Sequence, residues 1–245
     1  MRIRPCLMAV LVFALSGTPV VAQLPPESPA STLVATGHLA SLVELPMYLR
    51  LYLVRLPAAR NAAYRGSSAL LYNLSGASTI DIEGAAAQPL AEGAGAFIPG
   101  GRAVTVSASA SEPVNLLLFV LSARPNQRPP FDRPAIFREL YRTGEPLPGL
   151  RAGPYEFSLS RLTYPAGMPA TPPHYRTGAA LNYVLSGTVG LTADGKTEAI
   201  SADLPLFEGF GWVHSLTNPG GVPLVLLQAN ISRAGDPAVQ AAAEK

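Results

Sequence analysis

Apolar and β-branched residues fall into short runs at 48–56, 69–74, 96–99, 114–121, 155–164, 181–185 and 223–231, each bounded by Gly, Pro, Asn or Asp. Runs of that length between turn residues read as strands, and sustained helical periodicity is almost absent. The pattern therefore predicts an all-β chain, a sandwich or barrel. A short helix is expected only at 135–141, inside a proline-rich stretch from 124 to 149 that otherwise blocks continuous strand or helix.

The pattern is written twice. AYRGSSALLYNLSGASTIDIEG, from Ala63, lies over HYRTGAALNYVLSGTVGLTADG, from His174, at an offset of 174 − 63 = 111, matching Tyr64 to Tyr175, Arg65 to Arg176, Gly76 to Gly187 and Gly84 to Gly195. Further along the offset is 110, pairing Phe97 with Phe207, Gly101 with Gly211 and Pro113 with Pro223. Two tandem copies of one unit follow from this. The expected boundaries are an N-terminal copy over 23–123, a connection over 124–149 that also packs on the second copy, a C-terminal copy over 150–234 and a tail over 235–245. Residues 23 to about 40 read as an extended arm, and the tail as a frayed helix or disorder.

Composition changes the picture at the N-terminus. Arg2 and Arg4 precede an apolar run from Leu7 to Leu15, and the small positions Val20 and Ala22 precede Gln23. This reads as a secretory signal peptide over 1–22, cut after Ala22, because the run falls well short of the roughly 20 residues that span a bilayer. The expected location is periplasmic or secreted. Removing Arg2 and Arg4 leaves 18 − 2 = 16 basic residues against 16 acidic ones, so the mature chain is formally neutral. Neutrality without a basic stripe argues against nucleic acid as a partner, and no membrane insertion is expected once the leader is gone. The single cysteine, Cys6, lies in the leader, so thiol catalysis, disulfides and zinc–thiolate sites are excluded from the mature chain.

The second copy resembles the cupins, whose barrels carry two signatures: two histidines one residue apart followed by a glutamate and a glycine, then a later histidine and asparagine. PAGMPATPPHYRTGAALNYVLSG puts His174 on the first histidine, Arg176 on the second, Ala180 on the glutamate and Gly187 on the closing glycine. DLPLFEGFGWVHSLTNPG puts Gly211, His214 and Asn218 on their counterparts, with Asp203 and Gly209 replacing a glycine and a proline. In the first copy Ala63, Val104 and Ala108 replace the first histidine and the second signature's histidine and asparagine. The resemblance covers both halves of the mature chain and implies two tandem cupin jelly-roll β-barrels, a bicupin of bacterial type, the first degenerate.

Its implications for chemistry divide. In metal-binding cupins the three histidines and the glutamate hold a divalent ion, but here two of those four positions hold an arginine, which stays protonated, and an alanine, which has no donor atom. Strand alternation places Arg176, Ala180, Asn182 and Val184 on the face of His174, opposite His214. Arg176 beside two histidines suits a carboxylate or phosphate. The leading expectation is a C-terminal barrel that binds a small anionic molecule through His174, Arg176, Asn182 and His214, with no metal and no fixed reaction, as a monomer or homodimer. An alternative is a metal-dependent oxygenase, isomerase or hydrolase in which His174 and His214 hold Fe, Mn, Ni, Cu or Zn, with Glu208, Tyr175, Tyr183, Gln228 or water as a further ligand. A third is a structural or protein-binding bicupin with filled barrels.

Bland readings accompany these residues. Glu208 also reads as a partner for Arg176 or as solvent-facing. Arg65 and Arg176 recur in both copies, so each also reads as a bridge to a carboxylate or to strand carbonyls. Trp212 reads as packing, Asn218 as part of an Asn-Pro-Gly turn, and His38 as exposed without a ligand-type partner.

Overall fold

A computed structural model describes residues 29–42, 46–123 and 130–242. All the regular structure among them is β. The strands through the connection are β1 (Ala30–Leu42), β2 (Tyr48–Leu56), β3 (Asn61–Tyr64), β4 (Ala69–Ser75), β5 (Ser78–Ile82), β6 (Gln88–Leu90), β7 (Gly95–Ile98), β8 (Val104–Ala108), β9 (Val114–Ser122) and β10 (Ile136–Arg142). The remainder are β11 (Gly153–Tyr164), β12 (His174–Arg176), β13 (Ala179–Ser186), β14 (Thr188–Ala193), β15 (Lys196–Ser201), β16 (Pro205–Glu208), β17 (Ser215–Thr217), β18 (Leu224–Arg233) and β19 (Val239–Ala241). The leader assigned to 1–22 lies outside the described residues.

Two barrels result. The first is closed by a sheet of order β10-β2-β9-β4-β7 and another of order β3-β8-β5-β6; the second by β1-β11-β18-β13-β16 and β15-β14-β17, with β12 paired to β19. The five-stranded sheets stack face to face, and the alternation of side chains explains why their strands read as continuous apolar runs. In β9, Val114, Leu116, Leu118 and Val120 fill the first barrel, while Leu117, Phe119 and Leu121 meet Phe157, Leu181 and Ile231 of the second. A strand buried on both faces has no polar side to show.

The sheet edges are exchanged between halves. β1, from the arm, pairs along β11, from Ala30↔Thr163 to Leu42↔Gly153. β10, from the connection, pairs with β2 from Ile136↔Arg55 to Arg142↔Arg50. The short helix expected at 135–141 is thus a strand. Seven residues after a proline gain little as an isolated helix, whereas the open edge of β2 offers a ladder of unpaired backbone groups. Tyr141 also stacks on Phe207 of the second barrel, with ring centroids 6.0 Å apart. The tail is likewise not a frayed helix, since its residues 239–241 pair with β12.

Strand pairing fixes the register of the repeat. Leu71↔Leu118 and Ala69↔Ile98 in the first barrel correspond to Asn182↔Gln228 and Ala180↔Glu208 in the second. Upstream the correspondence slips by one residue: Tyr64 pairs with Val104 as His174 pairs with His214. The matched Tyr-Arg pairs therefore face opposite ways. Tyr64 is buried against Phe131 and Arg65 points outward to Asp132, 2.5 Å away, whereas Arg176 points into its barrel and has Gly66 as its structural counterpart.

Candidate functional site

The interior of the second barrel has an apolar end, built on Val184, Val189, Leu216 and Leu226, and a polar end on the same strands. β13 turns Ala180 and Asn182 inward, β16 turns Glu208 inward, and β18 contributes Gln228, Asn230 and Ser232. At the equivalent places the first barrel holds Leu71 for Asn182, Ile98 for Glu208, Leu118 for Gln228, Val120 for Asn230 and Val104 for His214. The polar end is thus specific to one copy.

Its side chains form a connected network. Gln228 Nε2 donates to Asn182 Oδ1 (2.9 Å) and Asn182 Nδ2 donates to Glu208 Oε1 (2.9 Å). Glu208 Oε2 accepts from Arg176 Nε at 2.5 Å, a contact in which the two side chains are 0% and 5% exposed. Burial alone raises the Glu208 carboxyl, but the Arg176 guanidinium, with His214, outweighs it and holds the group at about 2. Glu208 is therefore ionised at neutral pH. Among the described residues Nη1 and Nη2 of Arg176 have no hydrogen-bond acceptor, so the guanidinium keeps donors for a further group.

Both histidines are set by the backbone. His174 Nδ1 lies 2.9 Å from Pro172 O and His214 Nδ1 lies 2.9 Å from Trp212 O. A carbonyl can only accept, so each Nδ1 carries a proton, which turns each Nε2 away from the backbone. The rings are in contact, with centroids 4.5 Å apart. His214 Nε2 is buried, forms no hydrogen bond and stands 3.4 Å from Glu208 Oε2. His174, half-buried at the mouth, has its pKa lowered, first by burial and then by neighbouring positive charge, with the carbonyl of Pro172 opposing. Burial and the nearby Glu208 charge push the Tyr164 hydroxyl up to about 12. Phe210 and Val239, which pair with Arg176 of β12, are exposed, as is Val213 beside His214 in the chain.

The structure thus gathers His174, Arg176, Asn182, His214 and Glu208 into one cluster. It does not bring in Tyr175, whose hydroxyl bonds Gln240 outside the barrel, or Tyr183, which bonds Asp203 from the inter-barrel face. Trp212 packs on the apolar core and stacks on His214. Asn218 is wholly buried and structural, donating to the carbonyls of Tyr164, Pro165 and Val222. His38 is exposed, but a carboxylate does lie near it, Glu156 at 3.8 Å. Sequence reasoning missed Asn230 and Ser232. The signal was there: three polar residues at alternate positions in the otherwise apolar strand LVLLQANISR.

The fold raises the question of a metal. No three of His, Cys, Asp and Glu among the described residues stand together at metal-binding spacing. The carboxylate at the site comes from position 208, the cross-strand neighbour of Ala180, and a guanidinium already occupies it. A second cation would be driven off by Arg176. The donor set as it stands does not fit a divalent ion.

No protein-family model and no curated protein sequence matches the chain. Solved structures do. Oxalate decarboxylase from Bacillus subtilis, determined at pH 4.6, matches with a TM-score of 0.55 at 13% identity, over 88% of this chain and 80% of that one. AerE from Microcystis aeruginosa matches with a TM-score of 0.54 at 13% identity, over 82% of this chain and 99% of that one. One further structure of the decarboxylase concerns its Mn(II) centres. At such identity the likeness is one of fold, and it agrees with the strand order: the chain folds as a bicupin, two cupin barrels in tandem.

Proposed function

We propose that this is an exported bicupin whose second barrel binds a small organic acid, its oxyanion at Arg176 and a hydrogen-bonding group at His214, with His174 at the mouth and Asn182 holding Glu208 in place. The observation that carries the reading is the polar interior itself. The first barrel shows that the same strands pack with Leu71, Ile98 and Leu118 in those positions, and a buried ion pair adds little or nothing to stability over apolar residues of similar volume. The fold does not require the network, which points to a ligand. Arg176 keeps Nη donors for an oxyanion, and His214 Nε2 is buried and makes no hydrogen bond. The exposed Phe210 and Val239, on either side of Arg176, suit the hydrocarbon part of such a molecule. Oxalate, the acid on which the structural neighbour oxalate decarboxylase is named to act, belongs to the panel of ligands to try.

The test is calorimetric titration of the mature protein with acetate, lactate, oxalate, malonate and succinate. Saturable binding of at least one acid, weakened about tenfold or more when Arg176→Met is combined with Glu208→Ile, is expected from loss of a charge-assisted pair. No saturable binding of any acid by folded protein, or equal binding by the double variant, rejects the reading. Export is tested separately: the periplasmic or secreted protein should begin at Gln23, and protein confined to the cytoplasm with residues 1–22 intact would overturn it.

A further inference from the structure

We propose that the Arg176 guanidinium is the resident cation of the second barrel, filling the seat of a metal ion, and that the surrounding residues become a divalent-cation site when it is removed. The inference does not depend on whether a small acid enters the barrel.

Four observations support it. Glu208 is wholly buried, and its one permanently charged partner among the described residues is Arg176, 2.5 Å away. Its outer oxygen, Oε1, is held by Asn182 and through it by Gln228, which orients Oε2 toward the guanidinium and His214. His214 Nε2 stands 3.4 Å from that Oε2. Two donor atoms bound at about 2.1 Å to one tetrahedral ion lie about 3.4 Å apart, so this pair is already at ligand spacing. The Nδ1 atoms of both histidines are tied to backbone carbonyls, the arrangement that leaves Nε2 to a metal and fixes the ring. His174, whose ring touches that of His214, is the third group within reach, and to join Glu208 and His214 it must give up its bond to Pro172 O; two histidines and one carboxylate suit zinc, cobalt or nickel.

The charge balance explains why the present chain is closed to a metal. With Arg176 in place the carboxylate is neutralised and an entering dication meets a like charge. Without it, burial drives the Glu208 carboxyl toward its neutral form, and a dication can displace that proton by taking the carboxylate as a ligand together with the imidazoles.

The experiment uses the mature protein purified without chelator, dialysed against Co2+, whose visible absorption reports ligation by nitrogen and oxygen, and against Zn2+. Wild type is expected to bind no stoichiometric metal at the barrel. Arg176→Ala and Arg176→Gln are expected to bind one equivalent, a rise in affinity of about 100-fold or more as the like charge leaves. Their Tm should rise by about 5–10 °C at a metal concentration near 100 Kd. Adding His214→Ala should abolish the gain, and Arg176→Lys should not show it, because the ammonium keeps the seat filled. The proposal is overturned if wild type binds one equivalent that is lost with His174→Ala/His214→Ala. It is equally overturned if folded Arg176→Gln takes up no more metal than wild type, or if neither neutral variant folds even when refolded with Zn2+. Metal uptake and acid binding are read on different instruments, so failure of one proposal leaves the other standing.

Discussion

Replacing Glu208 with isoleucine copies the first barrel, where Ile98 occupies the equivalent place. In the second barrel the same residue strands a guanidinium whose side chain is only 5% exposed. Breaking a buried pair by removing one partner costs about 3–5 kcal/mol, against a total stability on the order of 5–15 kcal/mol for a folded protein. With a urea m-value of about 2–3 kcal/mol/M for a chain of this size, the unfolding midpoint should drop by about 1–2.5 M. Arg176→Met alone should fall by a similar amount, since it leaves the carboxylate uncompensated. The double variant Arg176→Met/Glu208→Ile should return to within about 1 kcal/mol of wild type, because two apolar side chains of similar volume replace the pair. Urea unfolding followed by tryptophan fluorescence reads this directly, Trp212 being the sole tryptophan and stacked on His214. If Glu208→Ile shifts the midpoint by less than about 0.3 M, the pair is not carrying a desolvated charge. A double variant as weak as the singles would show that the network, and not the ion pair, is what the strands need.

Three further outcomes are expected. Glu208 is held at about 2 against an ordinary value of 4.5, so its contribution is fully present above pH 4.5 and lost as pH falls toward 2; the gap is worth about 3 kcal/mol, and the acid limb of stability should flatten in the Arg176→Met/Glu208→Ile variant. Asn218→Ala removes the donor shared by the Tyr164, Pro165 and Val222 carbonyls and should cost about 2–4 kcal/mol in urea unfolding, with Asn218→Asp worse because a carboxylate would face three acceptors. Phe157→Ala, at the wholly buried face between the barrels, should cost about 3–5 kcal/mol and lower a single cooperative transition; a split into two transitions would mean that the barrels unfold independently.

The all-β class, the tandem repeat and the barrels could be read from the sequence because they rest on local physics. Period-two burial, turn glycines such as Gly76 and Gly187 at φ +80° and +82°, and recurring spacing all act over a few residues. The inward face of β13 followed from alternation alone, and His174, Arg176, Asn182 and His214 do converge. Three features were decided only by tertiary structure. The edges of β2 and β11 took up β10 and β1, turning an expected helix and an expected arm into strands, because unpaired ladder groups outweigh the weak preference of a short segment. The repeat slipped by one residue before β4, so matched arginines at 65 and 176 face solvent and barrel, a difference that identity in sequence does not reveal. Most consequential was Glu208. Three roles were open to it along the chain, and the cross-strand pairing with Ala180 chose one: it is buried, ionised and held by Arg176, because a carboxylate carried into a barrel must bring its cation with it.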